Sequence, residues 1–376
     1  MNQYDFQFNE TASIHINIIR IIAAHLVVIG HGIMGRISPI WGGMIGAPGL
    51  GLFFAMSGVL ISHTTLRRMK DERYEFKRFV LKRFSRIYPT LFLALIVMAI
   101  IDGIWYIHLD HIDILDSYNI KTFLWNLLIL QESMIGPTCF GNNRQLWPFP
   151  LFWWTYLFFG WLLLGFRNTN KKYLYCIILG LFTFILIFIC LGEWTSNKIE
   201  YLSLWFMGAL FSYVINKIDL YIEKKSAERK NNWVKASNKL KNRIKYSALI
   251  ISIILYILSI IRLLTHRDPY GIWCLLLLTW SFFSFIIFSQ YIHIIYSEKV
   301  KKIVNFMANY TYSLFLIQYS AGYLLSIFKV EANIYFYIFL IYLFSNLMAI
   351  AIAYFTEMRS NKTDKYLAKK FNLELN

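Results

Sequence analysis

An all-α, polytopic membrane helix bundle of about ten transmembrane helices, with both termini cytoplasmic, is the fold the sequence predicts, and three observations predict it. The chain is 57% hydrophobic, 18% aromatic and only 16% charged, against roughly 45–50% apolar and about 25% charged for a soluble domain. Apolar runs of about 20 residues recur over the whole length, each able to cross a hydrocarbon core of about 30 Å. The connections between those runs alternate between strongly basic and weakly charged. Short segments alternating residue by residue, the pattern of a β-barrel, are not what the sequence offers.

The elements follow in order. Span 14–34 comes after an acidic stretch (Asp5, Glu10) and lacks a small-residue cleavage pattern, so it is expected to remain as the first span. Span 47–66 carries Gly49, Gly51 and Gly58, which let helix backbones approach closely. The connection 67–86 holds nine Lys/Arg and leads into span 88–107. The long connection 108–146 leans acidic (Asp110, Asp113, Asp116, Glu132). Spans 147–166 and 173–191, rich in aromatic and aliphatic residues, are joined by a short basic link. Span 199–215 precedes a polar, Lys/Asn-rich connection, 216–245, which holds ten Lys/Arg and reads as partly helical. Spans 246–264, 271–294, 303–326 and 334–356 complete the set, followed by a basic tail.

In this ten-span layout thirty of the 38 Lys/Arg fall on one side, seven on the other, and Arg20 lies inside the first span. A Lys/Arg excess marks the cytoplasmic face. That places both termini inside and 108–146 outside. The net charge of +17 is therefore topogenic, and the basic connections meet anionic lipid headgroups. No nucleic-acid partner is expected. Residues 1–376 read as a single integral-membrane domain without a soluble catalytic domain. Cys139, Cys176, Cys190 and Cys274 show no pairing or metal spacing. "HLDHID" (His108 to Asp113) has two histidines three apart but no further ligands, so no metal is expected.

The first span raises the functional question, because "RIIAAHLVVIGHG" places one arginine and two histidines in an apolar run. An ionisable group inside a span is costly and normally faces a partner or a water-filled cavity. On an α-helix at about 100° per residue, Arg20 and His31 share a stripe roughly 16 Å long, with Asn17, Ala24 and Val27, while His25 faces elsewhere. The plainer roles are snorkelling for Arg20, an interfacial hydrogen bond for His31 and packing for His25. The shared stripe favours Arg20 and His31 as a functional pair. The histidine is the proton handler, since its pKa lies near neutral.

Three stretches carry a resemblance. "NIIRIIAAHLVVIGH" resembles the first span of the bacterial membrane acyltransferase family 3, in which an Arg, ten residues and a His recur; Arg20 and His31 match that spacing. "GLGLFFAMSGVLIS" (Gly49 to Ser62) looks like the family's second-span pattern, and "FVLKRFSRIYP" (Phe79 to Pro89) resembles its basic third-span opening. Together they cover the first quarter of the chain. There are departures. Asn17 stands where relatives often have Asp, "QLWPFPLFWW" (Gln145 to Trp154) lacks a Glu common before the fourth span, and Gln318 occupies a position often held by His.

The resemblance implies transfer of an acyl group, usually acetyl, from cytoplasmic acetyl-CoA to a hydroxyl, with acceptors such as O-antigen or exopolysaccharide sugars, at the bacterial cytoplasmic (inner) membrane. On that reading His31 is the general base on the acceptor hydroxyl, or is itself transiently acetylated. Arg20 orients the donor or stabilises developing negative charge. Arg83 and Arg86, where the basic connection enters the third span, suit the phosphates of the donor, a role that competes with a purely topogenic one. Ser57 is a donor-site candidate; no base is visible on its helix, so hydrogen bonding or packing is the simpler reading than nucleophile. The alternatives are an acyltransferase acting on a lipid or small molecule, and a transporter of an anionic or lipid-linked solute. The sequence does not show the inverted repeats and interrupted helices usual in transporters.

Overall fold

The computed structural model of the 376-residue chain describes residues 7–34, 38–109, 116–167, 173–192, 197–227, 233–268, 270–327 and 333–373. Among these the regular structure is helical. The helices are α1 (Glu10–Val27), α2 (Pro39–Arg68), α3 (Phe76–Leu109), α4 (Ile120–Leu127), α5 (Phe149–Leu164), α6 (Tyr173–Leu191), α7 (Lys198–Ala227), α8 (Trp233–His266), α9 (Ile272–Gln290), α10 (Glu298–Ala308), α11 (Thr311–Ile327), α12 (Ile334–Phe355) and α13 (Ser360–Lys370). A π-helical segment, Val28–Met34, continues α1, and short 3₁₀ turns occupy Arg144–Leu146 and Glu357–Arg359.

Seven described segments are long and apolar enough to cross a bilayer: Glu10–His31, Ile40–Arg68, Phe76–Tyr106, Tyr173–Leu191, Lys239–His266, Ile272–Gln290 and Tyr335–Lys370. The other three of the ten apolar runs are helical but fall short of that standard. Helices α5 and α11 have 16 and 17 residues, and α7 mixes Glu200, Tyr201, Ser203, Ser212 and Asn216 into its apolar residues. The run 303–326, expected as one span, is two helices, α10 and α11, interrupted at Asn309–Tyr310. The connection 216–245 is more helical than expected, since α7 runs to Ala227 and α8 starts at Trp233. The outer faces of α6 and α8 expose Ile177, Ile178, Leu181, Phe182, Ile250, Ile253 and Ile254. Such faces are stable against lipid tails, not water.

The chain divides into two compact units, each drawn from several stretches of sequence: Met1–Val27, Gly43–Lys70 and Glu200–Ala308, and Val28–Gly42, Asp71–Ile199 and Asn309–Asn376. In the first, Asn9 caps α1, its Oδ1 accepting from the Ala12 amide at 2.7 Å while its Nδ2 donates to the Gln290 and Ile292 carbonyls at 2.8 and 3.2 Å. The cap thus also clasps α1 to the end of α9. Ile14 and Ile21 pack on Val304 and Ala308 of α10. Helices α2 and α7 cross at Gly58 and Gly208. A Cβ at Gly58 would lie 2.0 Å from the Trp205 carbonyl oxygen, and one at Gly208 2.1 Å from that of Ala55. Ser212 Oγ seals the crossing by donating to the Val59 carbonyl at 2.8 Å.

In the second unit α3 is the axis, packed by α5, α11 and α13. Pro89 lies inside α3, which a membrane helix tolerates because neighbouring groups satisfy the freed carbonyl. Helix α13 is fastened to the start of α3 by a buried two-pronged pair, with Arg78 Nη1 and Nη2 donating to Asp364 Oδ1 and Oδ2 at 2.5 and 2.7 Å. Helices α11 and α12 pack together and against the π segment. Asn119 and Asn333 cap α4 and α12, accepting from the amides of Thr122 and Tyr335 at 2.9 Å each.

Candidate functional site

His31 sits in the π segment, within the second unit. A π turn bonds i to i+5, so each residue advances the side chains by less than the 100° of an α-helix, and such insertions gather at functional sites. The uniform α-helical phase that set Arg20 and His31 on one stripe therefore ends at Val27. His31 is half-buried and makes no hydrogen bond among the described residues. His15 behaves oppositely. Its Nδ1 lies 2.7 Å from Ser289 Oγ and its Nε2 2.6 Å from the Tyr296 hydroxyl. Because Ser289 Oγ donates to the Phe285 carbonyl at 2.7 Å, the network fixes the His15 tautomer with the proton on Nδ1, donated to Ser289, and Nε2 accepting from Tyr296. His15 is committed to structure, whereas neither ring nitrogen of His31 has a partner among the described residues.

Arg20 lies in the first unit, on α1. Its Nη2 donates to the carbonyl of Ala308 at 3.2 Å and its Nη1 to Asn17 Oδ1 at 3.4 Å, and Asn17 Nδ2 in turn donates to Asn305 Oδ1 at 3.1 Å. Ala308 is the last residue of α10, whose final carbonyls lack helical partners and carry the negative end of the helix dipole. Arg20 is thus held at a helix C-terminus. Asn17, which replaces the acid expected from the resemblance, acts as the second acceptor for the guanidinium. Ser57, half-buried on α2, precedes the Gly58 crossing in the same unit.

Arg83 and Arg86 lie in the second unit on α3. Arg83 is buried, with its guanidinium carbon 5.4 Å from the centre of the Phe79 ring. Arg86 reaches outward, and its Nη2 lies 3.8 Å from Glu357 Oε1. The other Glu357 oxygen accepts from the amide and hydroxyl of Ser313 at 3.2 and 3.1 Å. A buried carboxylate thus caps the start of α11 and faces Arg86. Glu357 was not singled out from sequence, because nothing in a lone Glu after an apolar run marks it as the partner of a residue 271 positions earlier. Gln318 is fully buried on α11 and donates from Nε2 to the Phe315 carbonyl at 3.2 Å.

Of the candidate residues, then, Arg20 and Ser57 belong to one unit and His31, Arg83 and Arg86 to the other. Among the described residues no three His, Cys, Asp or Glu side chains converge on a metal site. The "HLDHID" stretch lies largely outside the described residues.

Comparison with known proteins adds one finding. A family model described as an acyltransferase domain matches residues 14–357, from the first turns of α1 to Glu357. No curated protein and no solved structure matches the chain. The match takes in both units and every candidate residue, and nearly the whole chain lies within it: the protein belongs to the acyltransferase 3 family.

Proposed function

We propose that this membrane acyltransferase is an O-acetyltransferase of the bacterial cytoplasmic membrane, moving acetyl from cytoplasmic acetyl-CoA to a hydroxyl of a cell-surface polysaccharide. The observation that carries the reading is His31: an imidazole without a hydrogen-bond partner among the described residues, on a π turn, inside an acyltransferase domain. In the proposed reaction neutral His31 takes the proton of the acceptor hydroxyl while its oxygen attacks the thioester carbonyl. The C–S bond then breaks, and the imidazolium returns the proton to the CoA thiolate, leaving an acetate ester and free thiol. The variant route, in which His31 is acetylated first and then attacked by the hydroxyl, uses the same imidazole.

Cations have two tasks in this reading. The donor carries a pyrophosphate and a 3′-phosphate, and planar guanidinium groups match phosphate oxygens better than ammonium does. Arg83 and Arg86, at the basic entrance of α3, are assigned to them, with Ser57 as a further donor-site candidate. Arg20 is assigned to orienting the donor or to the negative charge that develops on the thioester oxygen.

The test is acetyl transfer by the purified protein in lipid nanodiscs. Radiolabelled acetyl-CoA and de-O-acetylated surface polysaccharide are the substrates, and alkali-labile label in the polysaccharide is the readout. Incorporation supports the reading. Label appearing only in lipid or a small molecule would replace the acceptor class. Movement of an anionic or lipid-linked solute without any transfer would replace enzyme by carrier.

A further inference from the structure

Within the second unit, far from any motif, Asp102 of α3 is completely buried in a segment that reads as membrane-spanning. An acid at such a depth calls for a named partner and a function. Its partners come from the connection before α5. Asp102 Oδ2 accepts from the Asn142 amide at 3.2 Å and from Asn143 Nδ2 at 2.7 Å. Asn143 Oδ1 accepts in turn from Gln145 Nε2 at 3.2 Å and from Ser320 Oγ of α11 at 3.1 Å. Gln145 Nε2 also donates to the Leu316 carbonyl at 2.7 Å, and Asn143 Nδ2 to that of Phe140 at 3.1 Å. Gly141, at φ +56°, lets the backbone press onto the acid: a Cβ there would lie 2.0 Å from Asp102 Oδ2.

The hydrogen-bond inventory of this cluster identifies what completes it. Both amide groups are fixed in orientation, because flipping either would set its oxygen against two acceptors. With the Asn143 and Gln145 donors all engaged, three buried atoms have no partner among the described residues: Asp102 Oδ1, Gln145 Oε1 and Asn142 Nδ2. Two are acceptors, and the Asn142 amide, which no hydrogen bond orients, can present either its donor or its acceptor. A hydroxyl both donates and accepts, so hydroxyl groups match each of the three atoms in either orientation of Asn142. The π segment that carries His31 packs on α11, the helix that supplies Ser320 and the Leu316 carbonyl.

We infer that Asp102, Asn142, Asn143 and Gln145 form a recognition site for hydroxyls of the acyl acceptor, a polyol or sugar ring. The inference rests on the acetyl-transfer reading above and assigns acceptor residues to it. Trapped water has the same donor and acceptor chemistry, so the experiment must separate the two.

Asn142 supplies the cleanest variant, since its side chain makes no hydrogen bond among the described residues. Asn142→Leu and Asp102→Asn, purified in nanodiscs, are assayed with acetyl-CoA and de-O-acetylated surface polysaccharide, each varied in turn, alongside a thermal unfolding midpoint. The expected result is an acceptor KM raised about tenfold or more for Asn142→Leu, with the acetyl-CoA KM within about twofold and the midpoint unchanged. Asp102→Asn moves the same constant where it remains folded. An unchanged acceptor KM in folded Asn142→Leu assigns the cluster to water and structure and overturns the inference. A rise in the acetyl-CoA KM instead overturns it in favour of a donor site. Wild-type protein that transfers no acetyl at all removes the functional reading itself, and the inference with it.

Discussion

At the scale of single residues the decisive contrast is between groups that are tied down and groups that are not. His31 makes no hydrogen bond among the described residues, so His31→Ala removes little that holds the fold. Transfer is expected to fall by about 10²–10⁴-fold or more, the usual loss when a proton handler is removed, with membrane protein levels near wild type. His25→Ala is expected to keep measurable turnover and to act mainly on stability. Acetyl incorporation normalised to protein level decides this pair, and activity that survives in His31→Ala but not in His25→Ala selects the other histidine. Arg20 offers a second comparison. Its two arms reach Asn17 and the Ala308 carbonyl in different directions, and an ammonium lacks the planar fork. Arg20→Lys is therefore expected to lower transfer at least tenfold while the protein still inserts. Wild-type rates from Arg20→Lys would reduce the residue to a point charge.

Elements are held by backbone approach and by a few buried pairs. Gly208→Ala puts a methyl 2.1 Å from the Ala55 carbonyl oxygen on the partner helix. The neighbour there is backbone and cannot rotate away, so α2 and α7 must separate, at a cost of about 1–3 kcal/mol. A lower unfolding temperature of the solubilised protein is the expected reading, and an unchanged one would mean the crossing is looser than its geometry. Asp364→Asn breaks the Arg78 pair that fastens α13 to α3. Both side chains are about nine-tenths buried, and removing one member of such a pair costs about 3–5 kcal/mol, because the remaining charge is left unpaired. Limited proteolysis of inside-out vesicles should then cleave the tail after α12 faster than in wild type; equal rates would show that α13 docks without the pair.

For the whole molecule the testable quantity is orientation. The basic connections predict a cytoplasmic 67–86 and an external 108–146. All four native cysteines are buried, so background labelling is low. Lys121→Cys and Lys77→Cys place thiols at exposed positions. In intact cells an impermeant maleimide is expected to label the first and not the second. The reverse pattern inverts the topology and moves the donor-binding assignment of Arg83 and Arg86 to the wrong side for cytoplasmic acetyl-CoA.

The apolar runs and the alternating charge determined by themselves that this is a helical membrane protein, and the spacing of Arg20 and His31, with the two stretches that follow, determined its family. Those features are local: hydropathy over twenty residues, and side chains a few turns apart. What local reading lacks is anything that depends on where a backbone changes character or on which distant segments meet. Hydropathy averaged across Asn309–Tyr310 joined α10 to α11 into one span, and assuming a constant 100° per residue carried the α1 stripe past Val27 into a π segment. The commitments of Arg20 to the end of α10, of Arg86 to Glu357, and of Asp102 to Asn143 and through it Ser320 join residues from 41 to 288 positions apart. No sequence period encodes such pairings. They arise because a buried charge or amide must find a complementary group among whatever helices the fold packs beside it, and only the tertiary structure decides which groups those are.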